Sequence, residues 1–170
     1  MCSCRKNDAV DCDGASFASI FPSTLPATTR EFSIRSAALQ ELPSGSLIHL
    51  RSLQKLDLSD NSIRRLPERL LDGVEDSIET LVVTDNLLGD HLNPVFSWPQ
   101  LRGLKRLRKL DVSGNWLKSL EAGFVEGCEQ LKELLLSRND LEEVPSAALN
   151  GPRALKTIAL DNNKISELAK

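Results

Sequence analysis

Hydrophobic residues recur along this chain in a frame that repeats several times. One copy places Leu53, Leu56 and Leu58 at its first, fourth and sixth positions, with Asn61 at the ninth and Ile63 at the eleventh. The frame returns with its first position at Ile78, Leu107, Leu131 and Leu155, and a weaker copy begins at Thr29. Successive copies lie 24, 25, 29, 24 and 24 residues apart. A repeat of this length predicts a solenoid, because one copy cannot bury its apolar face without its neighbours.

Apolar and polar residues alternate in the first half of each copy. In the second copy, Leu56 and Leu58 point inwards while Lys55 and Asp57 point outwards. An alternation with a period of two indicates a strand that has one buried face. Stacked copies therefore pair these short strands in parallel, and the inward leucines form continuous columns.

An asparagine occupies the ninth position in five copies, and Ala37 takes its place in the first. The asparagine amide both donates and accepts hydrogen bonds, so it can satisfy turn backbone in its own copy and in the next. We therefore predict a structural asparagine ladder formed by Asn61, Asn86, Asn115, Asn139 and Asn163.

The frame as a whole resembles the signature of leucine-rich repeat proteins. This resemblance implies an α/β solenoid, a horseshoe with a parallel concave β-sheet of short strands. Leu-Pro and Val-Pro pairs mark the return along the convex side, and short helical turns are predicted over 69–73 and 146–150. We divide the chain into a cap over 1–28 and six repeats over 29–52, 53–77, 78–106, 107–130, 131–154 and 155–170, of which the last is incomplete. Since no C-terminal cysteine cap follows, we expect the chain to be part of a longer array.

Three cysteines lie in the cap in the pattern Cys2-x-Cys4-x₇-Cys12. They resemble the cysteine-rich N-terminal module of extracellular leucine-rich repeat proteins, such as Slit, Toll-type receptors, chaoptin and decorin-like proteoglycans. That module usually has four cysteines, bonded first to third and second to fourth, and the chain lacks the first. The resemblance thus implies a Cys2–Cys12 disulfide and leaves Cys4 without its partner. The three thiolates also permit a zinc site, but no histidine follows at ligand spacing, so no metal or other cofactor is expected.

The charge pattern gives no reason to expect a nucleic acid partner. The net charge is −3, with both signs interspersed, whereas nucleic-acid-binding proteins usually carry a concentrated basic face. The basic run over 102–109 keeps its leucines at repeat spacing, which indicates a solvated loop edge. Since no run of 18 apolar residues occurs, we expect no direct membrane insertion.

The outward strand positions are the first candidate for a binding surface. In leucine-rich repeat proteins partners most often dock on the concave sheet, and apolar residues here share the middle outward column with aspartates. The candidate residues are Lys55, Asp57, Val82, Thr84, Lys109, Asp111, Glu133, Leu135, Thr157 and Ala159.

The two tryptophans offer an alternative binding surface. Trp98 lies in an insertion over 89–100, and Trp116 follows the ladder residue Asn115 at a position that normally faces solvent. Leu92, Val95 and Phe96 of the insertion are expected to pack back on the convex core, an arrangement that leaves Trp98 free to project. Exposed tryptophans are frequent interface residues.

No motif in the chain indicates catalysis. It contains no nucleophile elbow, phosphate loop or metal-ligand set. The resemblance implies a non-enzymatic protein-binding module of a secreted or cell-surface protein, with an adhesion, receptor or matrix role and a protein ligand or receptor as partner. Two alternatives stay open. One is a self-assembling matrix array, which would form homo-oligomers, and the other is an intracellular leucine-rich repeat interaction protein, against which the cysteine cap counts.

Overall fold

The computed structural model of the chain describes residues 2–5, 8–14, 24–89 and 95–166. They form an eight-stranded sheet in which strands of successive repeats are neighbours. Its strands, in spatial order, are β1 (Ser3–Arg5), β2 (Ala9–Asp11), β3 (Glu31–Ser33), β4 (Lys55–Asp57), β5 (Thr80–Val82), β7 (Lys109–Asp111), β9 (Glu133–Leu135) and β10 (Thr157–Ala159). Strands β1 and β2 form an antiparallel hairpin, and every later pairing is parallel. The solenoid fold predicted from the repeat frame is therefore confirmed.

The register across this sheet follows the repeat frame without a slip. Leu56 pairs with Leu81, Leu81 with Leu110 and Leu110 with Leu134. Each of these four leucines is 0% exposed, so together they form one column of the core. Because side chains alternate across a strand, a slip of one residue would turn that column into solvent.

The N-terminal hairpin covers one end of the leucine column. Val10 of β2 pairs with Phe32 of β3, and both side chains are buried. Cys2 and Cys12 form a disulfide beside this hairpin, in agreement with the pairing that the resemblance implied. At the far end of the sheet, Ile158 in β10 occupies the same column but is 41% exposed.

The asparagines form a hydrogen-bonded ladder between copies. The Nδ2 of Asn115 donates to the carbonyl oxygens of Val83 (2.8 Å), Val112 (3.1 Å) and Ser113 (3.0 Å). Its Oδ1 accepts from the N–H of Leu88 at 3.3 Å. The other four asparagines bond their own turn and the preceding copy in the same way. Each amide thus joins two copies, as expected of a structural ladder.

The convex return consists mainly of turns. The described residues include two 3-10 helices, Pro99–Leu101 and Ser146–Leu149. The predicted helical turn over 146–150 is thus a 3-10 helix, whereas residues 69–73 are turns without a helix. A return this short has little room for the pitch of an α-helix, and tight turns cover the same distance with fewer residues.

The insertion in the third copy adds a small second sheet. Strand β6 (Val95–Phe96) pairs in parallel with β8 (Ser119–Leu120) of the next copy. Phe96 packs against the core and contacts Phe124, with ring centroids 5.6 Å apart, as predicted. The prediction for Val95 is wrong, since it is 50% exposed. Leu92, the third predicted residue, lies outside the described residues.

Candidate binding surfaces

The concave face presents its outward residues in columns that run across the strands. Strand pairing places Lys55 beside Thr80, Thr80 beside Lys109, then Glu133 and Thr157. The middle column contains Asp57, Val82, Asp111, Leu135 and Ala159. All five middle-column residues are half-buried, which leaves two larger apolar side chains, Val82 and Leu135, partly open to solvent between carboxylates.

The aspartates of the middle column are held by neighbouring backbone. The Oδ1 of Asp57 accepts from the N–H of Ser59 at 3.1 Å, and the Oδ1 of Asp111 accepts from the N–H of Ser113 at 3.1 Å. In the first column, Lys109 and Glu133 form an ion pair of 3.5 Å. The face is therefore ordered by local bonds, and its charged groups are positioned before any partner arrives. Thr84, the candidate that lies two residues after the end of β5, is half-buried, and its hydroxyl has no hydrogen-bond partner among the described residues.

Two arginine–aspartate pairs join residues from different parts of the solenoid. Arg35 bonds Asp13 of the cap, and Ser33 donates to the same carboxylate at 3.0 Å. Partial burial acts to raise the pKa of Asp13, but hydrogen bonds with the side chains of Arg35, Asp11 and Ser33 outweigh it and lower the pKa to about 2. The carboxylate of Asp13 therefore stays ionised and ties the cap to the first repeat.

The second pair spans a whole repeat. The guanidinium of Arg138, in the fifth copy, donates to both carboxylate oxygens of Asp85, in the third, at 2.8 and 3.2 Å. Gly114 of the fourth copy lies beneath the pair, and a Cβ at this position would approach Asp85 Oδ1 to 2.0 Å. The glycine thus leaves the space through which the arginine reaches its partner.

Trp98 does not project from the insertion, so its assignment as an alternative binding residue is wrong. The ring is 3% exposed and belongs to the core. It immediately precedes the helix Pro99–Leu101, and the hydrophobic surface of an indole gains more from burial in the convex core than from exposure. Trp98 is therefore removed from the candidate binding residues.

Trp116, in contrast, is 56% exposed and has a left-handed backbone, with φ of 61°. Asn139 Oδ1 accepts from the N–H groups on both sides of it, those of Asn115 (2.9 Å) and Leu117 (3.1 Å). The Asn115 carbonyl in turn accepts from the N–H of Gly89 at 2.7 Å. A bulky residue is rare at positive φ, and here hydrogen bonds to two neighbouring copies hold it there, with the indole directed to solvent.

The remaining cysteine outside the cap is buried. Cys128 is 0% exposed, and its Sγ donates to the carbonyl of Leu101 at 3.0 Å. Burial raises the pKa of the thiol to about 11. The side chain therefore behaves as a small hydrophobic residue.

Within the described part of the chain there is no group of three or more histidine, cysteine, aspartate or glutamate side chains placed to hold a metal ion. The same residues include no helix that is long and apolar enough to cross a membrane.

Sequence reasoning missed both arginine–aspartate pairs and the fixed backbone of Trp116. The Asp85–Arg138 partners are 53 residues apart in different copies, so no local pattern joins them. The available signal was Gly114, which directly precedes the ladder residue Asn115. The other copies have a residue with a side chain at this position.

Comparison with known proteins agrees with the fold. A leucine rich repeat family model matches residues 105–165, and a second leucine rich repeat model matches residues 52–72. Toll-like receptor 9 of Felis catus is 43% identical over 74 residues, which is 44% of this chain and 7% of the receptor. Podocan-like protein 1 is 35% identical over 89 residues in Mus musculus and 34% identical over 89 residues in Homo sapiens, in both cases 51% of this chain.

The chain spans a small part of these relatives, since the matches cover 16% of the mouse podocan-like protein and 17% of the human one. Two independent features nevertheless agree with the matches. One is the parallel solenoid sheet, and the other is the asparagine ladder that joins its copies. By its repeat frame, its sheet and these matches, the chain folds as a leucine-rich repeat solenoid and carries leucine-rich repeats over 52–72 and 105–165.

Proposed function

We propose that this chain is a non-enzymatic, protein-binding module of a secreted or cell-surface protein, and that its partner binds the concave sheet. The similarity to a Toll-like receptor and to podocan-like proteins supports a role in recognition. The Cys2–Cys12 disulfide supports passage through the secretory pathway, because disulfides persist in oxidising compartments.

The observation that carries the proposal is the middle column of the concave face. Leu135 and Val82 are half-open to solvent although they point away from the core. Apolar side chains among ordered carboxylates resemble the composition of an interface centre, in which burial supplies affinity and charges supply specificity. The candidate contact residues are those predicted from the register: Lys55, Asp57, Val82, Thr84, Lys109, Asp111, Glu133, Leu135, Thr157 and Ala159.

A charge at the centre of this column tests the proposal. Leu135→Arg should leave folding nearly intact, because the side chain points out of the sheet, and should weaken binding by about tenfold or more by burying an unpaired charge. The matched control is Ile48→Arg, on a convex-side residue that is 50% exposed. Both variants and the wild type are measured against a panel of purified secreted proteins and receptor ectodomains. A partner that binds all three proteins equally would exclude the concave face.

Trp116 is a second candidate contact for the same function. Its 56% exposure in a rare backbone conformation favours it. Trp116→Ala should then abolish binding of a partner that Leu135→Arg still binds. The two variants thus separate the loop edge from the sheet.

A further inference from the structure

Exposed cations line one edge of the sheet from the end of the third copy to the sixth. This edge is the one at which the strands begin, on the opposite side from the asparagine ladder. The group, here termed the basic row, consists of Lys105, Arg106, Arg108, Lys132, Arg153 and Lys156, all of which are exposed. The sequence pattern indicated only a solvated loop edge over 102–109, because that run contains just three of these six cations.

The centre of the basic row is a stack of like charges on neighbouring chain segments. The N–H of Lys132 donates to the carbonyl of Arg108 at 2.8 Å, and the N–H of Lys156 donates to the carbonyl of Lys132 at 2.9 Å. Neighbouring strands lie about 4.8 Å apart. Like charges placed opposite each other destabilise a sheet, so this stack brings no benefit to folding.

The adjacent column shows that the sheet does not require such a stack. There Lys109 faces Glu133, and the two form an ion pair of 3.5 Å. Within the described residues, by contrast, no carboxylate forms an ion pair with Lys132 or Lys156. The chain as a whole carries a net charge of −3, so the positive charge is concentrated locally.

Glu79 orders one end of the basic row. Its carboxylate pairs with Arg106 at 3.4 Å and with Arg108 at 3.3 Å. The two arginine side chains remain 54% and 51% exposed. Each guanidinium carries five N–H donors, and one carboxylate leaves most of them available to an anionic ligand.

We propose that the basic row binds a sulfated polysaccharide, independently of any protein partner on the concave face. A row with a cation directly before each of three successive strands fits a linear polymer that carries anionic groups at regular intervals. Sulfate oxygens accept charge-assisted hydrogen bonds from lysine and arginine.

Two features favour a polysaccharide over other polyanions. The row contains no aromatic side chain on which nucleic acid bases could stack. It also contains no apolar centre of the kind that dominates the binding energy of protein interfaces. Long flexible cations without either feature suit a ligand that presents charge and hydroxyl groups alone.

Heparin binding by the intact chain tests the proposal. The double variant Lys132→Glu and Lys156→Glu should bind immobilised heparin about tenfold or more weakly than wild type, because two attractive contacts become repulsive. The matched control is Arg64→Glu with Arg65→Glu, which changes the net charge equally at exposed positions outside the row. The control should bind within about twofold of wild type, and its binding should weaken as salt rises, because exposed charges are screened. Thermal melts of all three proteins check folding.

Three results would overturn the proposal. Absence of wild-type binding to heparin at physiological ionic strength would exclude the site. Equal loss in both double variants would mean that net charge, and not the basic row, governs binding. Tighter binding to a single-stranded DNA of matched charge than to heparin would assign the row to nucleic acid instead.

Discussion

The ladder asparagines should differ in importance according to how many backbone N–H groups each one satisfies. Asn139 Oδ1 accepts two, from Asn115 at 2.9 Å and Leu117 at 3.1 Å. Asn115 Oδ1 accepts one, from Leu88 at 3.3 Å. Replacement of Asn139 by alanine therefore leaves two buried donors without a partner, and replacement of Asn115 leaves one.

The carbonyl groups of the ladder do not add to this difference. Val112 O accepts from both Asn115 and Asn139, and Leu136 O accepts from both Asn139 and Asn163. Each of these carbonyls keeps one partner after a single substitution. An orphaned buried donor costs about 1–3 kcal/mol. Asn115→Ala should thus lower the free energy of unfolding by about 1–3 kcal/mol and Asn139→Ala by about 2–6 kcal/mol.

Urea unfolding followed by circular dichroism measures both variants, with the midpoint and the slope fitted separately. Lys55→Ala is the control, because this exposed side chain points out of the sheet and should cost less than about 0.5 kcal/mol. The reasoning is refuted if Asn115→Ala proves as costly as Asn139→Ala, or if either resembles the control.

Three further predictions concern the cap and the buried thiol. Cys12→Ser should lower the free energy of unfolding by about 2–4 kcal/mol, and the mass of thiol-blocked, unreduced protein should show Cys2 and Cys12 unmodified. Cys128, whose pKa burial raises to about 11, should resist iodoacetamide at pH 8 until denaturant is added; rapid labelling of the native protein would contradict its burial. Asp13 has a folded pKa of about 2 against 3.8 unfolded, so its pairing with Arg35 should stabilise the fold fully above the unfolded value and be lost as the pH falls towards about 2. Asp13→Asn should flatten that part of the stability profile, and an unchanged acid limb would count against the pair.

The repeat frame predicted the sheet and its register because burial imposes both. An inward leucine at every fourth and sixth position can be stacked in one way only, and the pairing of Leu56, Leu81 and Leu110 follows. The Cys2–Cys12 bond came from resemblance, since three cysteines leave the pairing open on their own. The concave candidates keep their predicted orientation, and their role in binding stays a prediction.

The insertion resisted prediction because it has no repeat frame to fix which side chains point inwards. Trp98 is buried and Val95 is exposed, the reverse of the expected arrangement. The ion pair of Arg138 with Asp85 also lay beyond sequence reasoning, because it depends on a glycine in the intervening copy. The side-chain orientations in the insertion and this ion pair both depend on the geometry between copies, which the period within one copy does not determine.

The ion pair between Arg138 and Asp85 changes how local unfolding can spread along the solenoid. In repeat arrays each unit usually contacts only its neighbours, so one unit can unfold locally without affecting the next but one. Here the third and fifth copies are joined directly over the fourth. An exposed bidentate pair contributes on the order of 1 kcal/mol or less to stability. The fourth copy nevertheless cannot open outwards until the ion pair between Arg138 and Asp85 has separated. Amide exchange in the fourth copy should therefore report on an event that involves three copies at once.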